Sequence, residues 1–298
     1  MKWLNWLEIF LWYSCNLKCS FCFQKDLRYE KPKFIWYESV IKIIDNWISN
    51  NKRSIIFSWW ESTLDPNILK YIEYCKNNGF LDIRIHTNWL SFSDKTILNK
   101  FIKSGMTWVV LSIHWYWNIH DYLVWSDWAF EKVKNTLLNL SEIKKDNNEF
   151  VIDTNTVLNK YNYKNLDTLI KFLSYFPITR SQIVQLYSLY LFNLVEKKNL
   201  YISYESFSEY IPRILWINKN ITLENFPLCK VNKKYWDFLI KRQRYNNEAY
   251  WNMWEWFEES DCTYLDACDK CYYKSICTWI PKDYLQVFPN GNFNYINK

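Results

Sequence analysis

Short apolar runs and amphipathic stretches alternate about six times between residues 9 and 189, and this rhythm limits the chain to very few folds. Ile9–Tyr13, Arg53–Ser58, Asp82–His86, Met106–Ile113, Phe150–Leu158 and Gln182–Leu189 read as strands. Between them lie helical stripes. Phe34–Asn50 carries apolar residues at 40, 44, 47 and 48. The next helix is expected to be capped by Asp65 with Pro66 at its first position, to bury Ile68, Ile72 and Cys75, and to stop at Gly79. Another runs from Ser93 through Ile97 and Phe101 to Gly105. A loop to Asp127 precedes a helix on Phe130, Val133, Leu137 and Leu140, and a last stripe holds Leu166, Leu169, Ile170 and Leu173. The pattern predicts an α/β fold, a parallel sheet with crossover helices. Sites in such folds lie at the carboxyl ends of strands. A Cys loop, the turn Trp59-Trp60-Glu61, Asn88 and His114 fall at four consecutive ends.

The Cys loop is Cys15-Asn-Leu-Lys-Cys19-Ser-Phe-Cys22. Three thiols on one tight loop suit one face of an iron–sulfur cube whose fourth iron is left without a protein ligand. A zinc knuckle is the alternative, although zinc sites favour paired C-x2-C units with a fourth ligand nearby. Cys75 sits on an apolar helical stripe and reads as core. His86, inside a strand, reads as a satisfied interior histidine. His114 and His120 read as polar loop residues holding local turns, with a substrate contact as the other reading.

Composition narrows the class. At 298 residues the chain can form a barrel-sized domain and a smaller appendage. The net charge of +6 is spread without a basic block, so neither nucleic acid nor a membrane surface is called for. No run of eighteen apolar residues and no cleavable signal are seen, and 9 Cys suggest metal or redox use in a reducing, cytoplasmic setting. Glycine is the anomaly. Average usage predicts about 7 %, roughly twenty residues, yet there are 3 Gly beside 19 Trp. Several Trp occupy turn positions, as in Ser58-Trp59-Trp60-Glu61, Thr87-Asn88-Trp89 and Cys277-Thr278-Trp279. Indoles oppose turn chemistry. The sequence reads as one in which many Trp stand for Gly, as when UGA codons decoded as glycine are written as tryptophan.

With those residues in view, the chain resembles the radical S-adenosylmethionine (SAM) superfamily. Cys15-x3-Cys19-x2-Cys22 matches its signature, including Phe21 before the last Cys, and Phe57–Leu64 resembles its Gly-Gly-Glu turn if Trp59 and Trp60 are glycines. Thr87-Asn88-Trp89 is similar to a Thr-Asn-Gly turn of the family. The resemblance implies a partial (β/α)6 TIM-like barrel over residues 1–190. It implies a [4Fe–4S] cluster on Cys15, Cys19 and Cys22, with SAM on the free iron. The backbone at 59–61 and Glu61 would hold the amino end of SAM, Phe21 would lie by the adenine, and Ser112 or Asn155 could reach the ribose. Reductive cleavage would give a 5′-deoxyadenosyl radical, with electrons from a donor such as a flavodoxin or ferredoxin. No residue is singled out as catalytic.

From about residue 191 the alternation stops, and Ser203–Asn218 reads as a helix interrupted at Pro212. Cys229, Cys262 and Cys268-x2-Cys271-x5-Cys277 then form a second thiol group. Four thiolates suit zinc or a second cluster. The arrangement resembles the shortened cysteine-rich extensions of the SPASM or Twitch type. That implies residues 191–298 hold one auxiliary [4Fe–4S] cluster on Cys229, Cys268, Cys271 and Cys277, with Cys262 the spare or the alternative fourth ligand. Such extensions accompany modification of a peptide or protein substrate. A small-molecule enzyme of cofactor biosynthesis and a non-catalytic metal-binding module are the alternatives.

Overall fold

The computed structural model describes residues 6–11, 15–22, 35–58, 60–186, 193–239, 248–250, 262–289, 291, 293 and 296–297. Its main strands are β1 (Leu7–Phe10), β2 (Ser54–Ser58), β3 (Asp82–Thr87), β4 (Trp108–Ser112), β5 (Val151–Leu158), β6 (Arg180–Gln185), β7 (Ile221–Glu224) and β8 (Glu248–Tyr250). They form one sheet in the order β7-β6-β5-β4-β3-β2-β1-β8, every neighbouring pair parallel. The outermost strands do not pair with each other, so the barrel is open.

Helices α1 (Tyr37–Ser49), α2 (Ile68–Asn77), α3 (Lys95–Ser104), α4 (Asn118–Val124), α5 (Ala129–Asp146) and α6 (Leu166–Leu173) alternate with the first strands. The cause is legible in α3. The Asp94 carboxylate accepts from the Thr96 N–H at 2.8 Å, Leu98 and Phe101 are buried, and Gly105 ends the helix at φ +121°. Along β3 the period is two. Ile83 and Ile85 enter the core cluster that holds Ile72, Leu98 and Phe101, whereas Arg84 and His86 take the opposite face. Each fully buried aliphatic side chain stabilises by about 2 kcal/mol, so this two-sided pattern fixes strand register. Cys75 is fully buried in that cluster, and burial pushes its thiol far above the usual range.

Four local expectations are corrected. The Asp65 carboxylate accepts from the Asn67 N–H at 2.7 Å and closes a turn, so α2 begins at Ile68 rather than at Pro66. The expected loop before Asp127 contains α4, whose ends at Trp117 and Trp125 carry no sequence signal of a helix boundary. The alternation does not stop at residue 191, because β7 and β8 extend the sheet on both edges. The expected helix over 203–218 is two helices, the second with Pro212 in its first turn.

The remaining elements are α7 (Leu194–Leu200), α8 (Tyr204–Ser208), α9 (Ile211–Ile217), α10 (Asp266–Asp269), α11 (Lys282–Val287) and an antiparallel pair, β9 (Cys262–Thr263) with β10 (Ile280–Pro281). Lys197 on α7 and Asp283 on α11 form a buried ion pair at 2.5 Å. Among the described residues, no helix is long and apolar enough to cross a membrane.

Candidate functional site

Cys15, Cys19 and Cys22 lie on the loop that follows β1, all partly buried and none in a disulfide. The loop is held from two sides. Ser20 N–H donates to the Leu123 carbonyl at 2.9 Å and Lys18 N–H to that of Val124 at 3.3 Å, so α4 forms its outer wall. On the inner side the Asn88 amide donates to Asn16 Oδ1 at 2.6 Å and lies 3.6 Å from Cys15 Sγ. Burial pushes the Cys15 thiol up to about 11, with the Glu61 carboxylate adding to it. Such a thiol ionises at neutral pH only when a cation or cluster supplies compensating charge. Among the described residues, no three His, Cys, Asp or Glu side chains close on a point suited to a single metal ion.

The turn after β2 is organised by Glu61, which is fully buried. Its carboxylate accepts from the hydroxyls of Thr63 and Thr87, each at 2.6 Å, and from the Asn88 N–H at 2.6 Å. Burial raises its pKa against those hydrogen bonds. The side chain therefore ties the ends of β2 and β3 together, and a ligand above the turn would meet backbone. Trp60 occupies that backbone at φ +49°, while Trp59 lies outside the described residues.

Ser112, at the end of β4, stands opposite Asn155, which lies inside β5 three residues before its end rather than at the strand end expected. Asn155 Oδ1 is buried with no hydrogen-bond partner, a polar atom that a ligand hydroxyl would satisfy. Phe21 is buried edge-on to the His114 ring at 4.4 Å. His114 accepts from the Val157 N–H at 3.2 Å through Nδ1, which makes it a brace between the ends of β4 and β5. His120 is fully buried with both ring nitrogens unpartnered, so the reading of it as a turn-holding residue is not met by any hydrogen bond of its ring.

A charged collar that no sequence motif marks lines the face of the sheet opposite α3. Glu8 accepts from the Ser58 hydroxyl at 2.6 Å, Arg180 pairs with Asp153 at 2.6 Å, and Gln182 donates to Glu224. Arg84 stacks between the rings of Trp108 and Trp6, at 3.4 and 4.2 Å. Burial raises Glu8 and Glu224, and lowers Arg84 to about 10. Arg84 Nε, His86 Nε2 and Thr222 Oγ1 are buried without partners, so His86 is not the satisfied interior histidine expected. The available signal was charge at every second position of an apolar strand, as in Asp82-Ile-Arg-Ile-His86.

Cys229, Cys268, Cys271 and Cys277 line one small pocket with Leu228, Tyr264 and Ile280. Burial lifts Cys229 to about 12 and Cys277 to about 11, and the neighbouring thiols add to both shifts. The Leu228 N–H donates to Cys277 Sγ at 3.3 Å. The side chain of Cys262 lies outside the described residues.

The family model described as the radical SAM superfamily matches residues 9–173. Over 145 residues the chain is 26% identical to a Methanocaldococcus jannaschii protein whose name describes a glycyl-radical enzyme activating enzyme. That alignment covers 48% of this chain and 57% of the relative, so it spans little more than half of the curated relative's length. Streptococcus suis SuiB bound to S-adenosylmethionine superposes with a TM-score of 0.63 at 15% identity, covering 99% of this chain and 76% of SuiB. SuiB bound to the precursor peptide SuiA gives 0.55 at 17%, covering 75% and 49%. The enzyme anSMEcpe with bound AdoMet and Cp18Cys peptide gives 0.57 at 14%, covering 95% of each chain. At these identities the likenesses show a shared fold.

Proposed function

This chain belongs to the radical SAM superfamily, and from that premise we propose that it cleaves SAM reductively to modify a peptide or protein. The observation that carries the reading is the convergence of three thiols on the β1 loop with Asn88 and the Glu61-braced turn beside them. Cys15, Cys19 and Cys22 would hold a [4Fe–4S] cluster. When bound, it would supply the electron for reductive cleavage of SAM to methionine and a 5′-deoxyadenosyl radical. The chain's own part is positional. Glu61 fixes the turn whose backbone would hold the amino end of SAM, Phe21 would wall the adenine side, and Ser112 or Asn155 would meet the ribose. The α4 wall and the buried strand ends would limit the access of water to the reacting atoms.

A polypeptide substrate is supported from two directions. The fold is shared with two proteins whose structures contain peptides, and the curated relative is named for acting on another enzyme. The collar of Glu8, Arg84, Asp153, Arg180 and Glu224 offers donors and acceptors in turn, the mixture that backbone amides and polar side chains match. Residues 191–298 would carry one auxiliary [4Fe–4S] cluster on Cys229, Cys268, Cys271 and Cys277, with a flavodoxin or ferredoxin as electron donor to the enzyme.

The test is anaerobic reconstitution of the chain with glycine at 59 and 60, followed by dithionite and SAM. The expected result is about eight irons per chain and 5′-deoxyadenosine. Bound iron with no SAM cleavage would favour a purely structural metal protein.

A further inference from the structure

Five tryptophans sit where the backbone excludes bulky side chains. Trp60, Trp89, Trp117, Trp125 and Trp128 have φ of +49°, +72°, +61°, +54° and +61°. Among the described residues, the other non-glycine residues at positive φ are Asn51 and Asn225, a residue type that tolerates this region. Five of the thirteen described tryptophans are thus left-handed. Trp117, with ψ −146°, lies in a region that is essentially glycine's alone. Trp125 is left-handed directly after α4, its N–H bonded to the Asp121 and Tyr122 carbonyls, the position at which glycine commonly ends a helix. Gly105 likewise stands directly after α3, and Gly79 follows the Asn78 cap of α2, both at positive φ.

Packing gives little reason for indoles at three of these positions. Among the described residues Trp117 alone of the three has ring neighbours, Tyr116 at 5.9 Å and Phe130 at 6.5 Å, whereas the buried Trp89 indole donates to the Ser112 carbonyl at 2.8 Å. Trp117, Trp125 and Trp128 are 54%, 69% and 75% exposed. Taken as tryptophans, with Tyr122 and Ile119 also exposed on this segment, they would offer an aromatic platform, the sort of surface that docks a partner. A docking platform explains exposure, yet it does not explain why each member has a backbone that its side chain opposes. Glycine explains both, and it also accounts for 3 Gly against 19 Trp.

We propose that the natural protein carries glycine at positions 60, 89, 117, 125 and 128, its gene being translated with UGA read as glycine. The backbone at 60 is then bare beside the Cys loop. The exposed aromatic platform does not exist.

Tandem mass spectrometry of the full chain from its native source decides the matter. Three tryptic peptides, residues 54–70, 85–95 and 104–132, contain all five positions. The expected spectra show glycine at each, every site lighter by the difference between an indolylmethyl group and hydrogen. Tryptophan at any of the five overturns the proposal. A second measurement tests the backbone argument: thermal melts of the full chain made with the written tryptophans and of its W117G/W125G/W128G variant. These side chains are exposed, so relief of the backbone is expected to raise the melting temperature by roughly 5 °C. An unchanged or lower value would overturn it. Neither readout depends on SAM chemistry. Glycines found without SAM cleavage would sink the functional reading alone.

Discussion

Glu61 shows how one residue can shape a site from beneath. Its two oxygens collect the Thr63 and Thr87 hydroxyls and the Asn88 N–H. Glu61→Ala leaves those donors without their acceptor, at about 1–3 kcal/mol for each that stays unsatisfied. The expected loss is about 3 kcal/mol in chemical denaturation, and less than about 1 kcal/mol would mean the turn holds itself. His86 gives a pH signature. Burial, with Arg84 and Arg180 nearby, lowers its pKa to about 3. A depressed folded value gives stability that is present above the ordinary histidine pKa and is lost as pH falls through 6.5 toward 3, because only the unfolded chain takes the proton. Between pH 7 and 5 this amounts to about 2 kcal/mol. The buried carboxylates Glu8 and Glu224 are raised and oppose the trend, so the measurement must be a difference. His86→Asn is expected to lose about 2 kcal/mol less than the parent over that interval. Parallel pH curves for the two chains would place His86 in a wetter setting than the structure gives it.

Among elements, the clearest coupling joins α7 to α11. Lys197 and Asp283 are both buried and paired at 2.5 Å, and Lys197 also donates to Gln286 at 2.9 Å. Taking one partner away leaves an uncompensated charge. Lys197→Met should therefore cost about 3–5 kcal/mol, while the double change Lys197→Met with Asp283→Leu should recover most of it. A urea double-mutant cycle checks this, and additive losses would show that the two helices are held by other contacts. Helix ends carry the complementary lesson. Aspartate and glycine mark the bounds of α3, whereas α4 lies between Trp117 and Trp125, which mark nothing. A left-handed residue with a large side chain costs about 1–2 kcal/mol, so five of them would consume much of an ordinary domain's stability.

For the whole molecule, the issue is whether the two thiol groups act as separate centres. Cys15, Cys19 and Cys22 sit at the strand ends, and Cys229, Cys268, Cys271 and Cys277 line a pocket walled by Leu228, Tyr264 and Ile280. Cys268→Ala with Cys271→Ala is expected to lower iron from about eight to about four per chain and to leave SAM cleavage intact. Loss of both together would mean that the carboxyl-terminal site supports the core fold. Much of this was readable in the residues. Hydrophobic period marked four of the strands, β2 to β5, to within two residues at either end, and the spacing of Cys15, Cys19 and Cys22 put them on one loop, because such signals act over a few residues. The sequence by itself determined the order of strands and helices, the Cys loop at a strand end and the excess of tryptophan at turns. Only the tertiary structure decided that β7 and β8 complete the sheet, that Glu61 faces inward, and that charges from five strands meet in one collar. Those outcomes depend on register between segments far apart in the chain, and on burial that makes each unpaired charge costly. Local sequence carries neither.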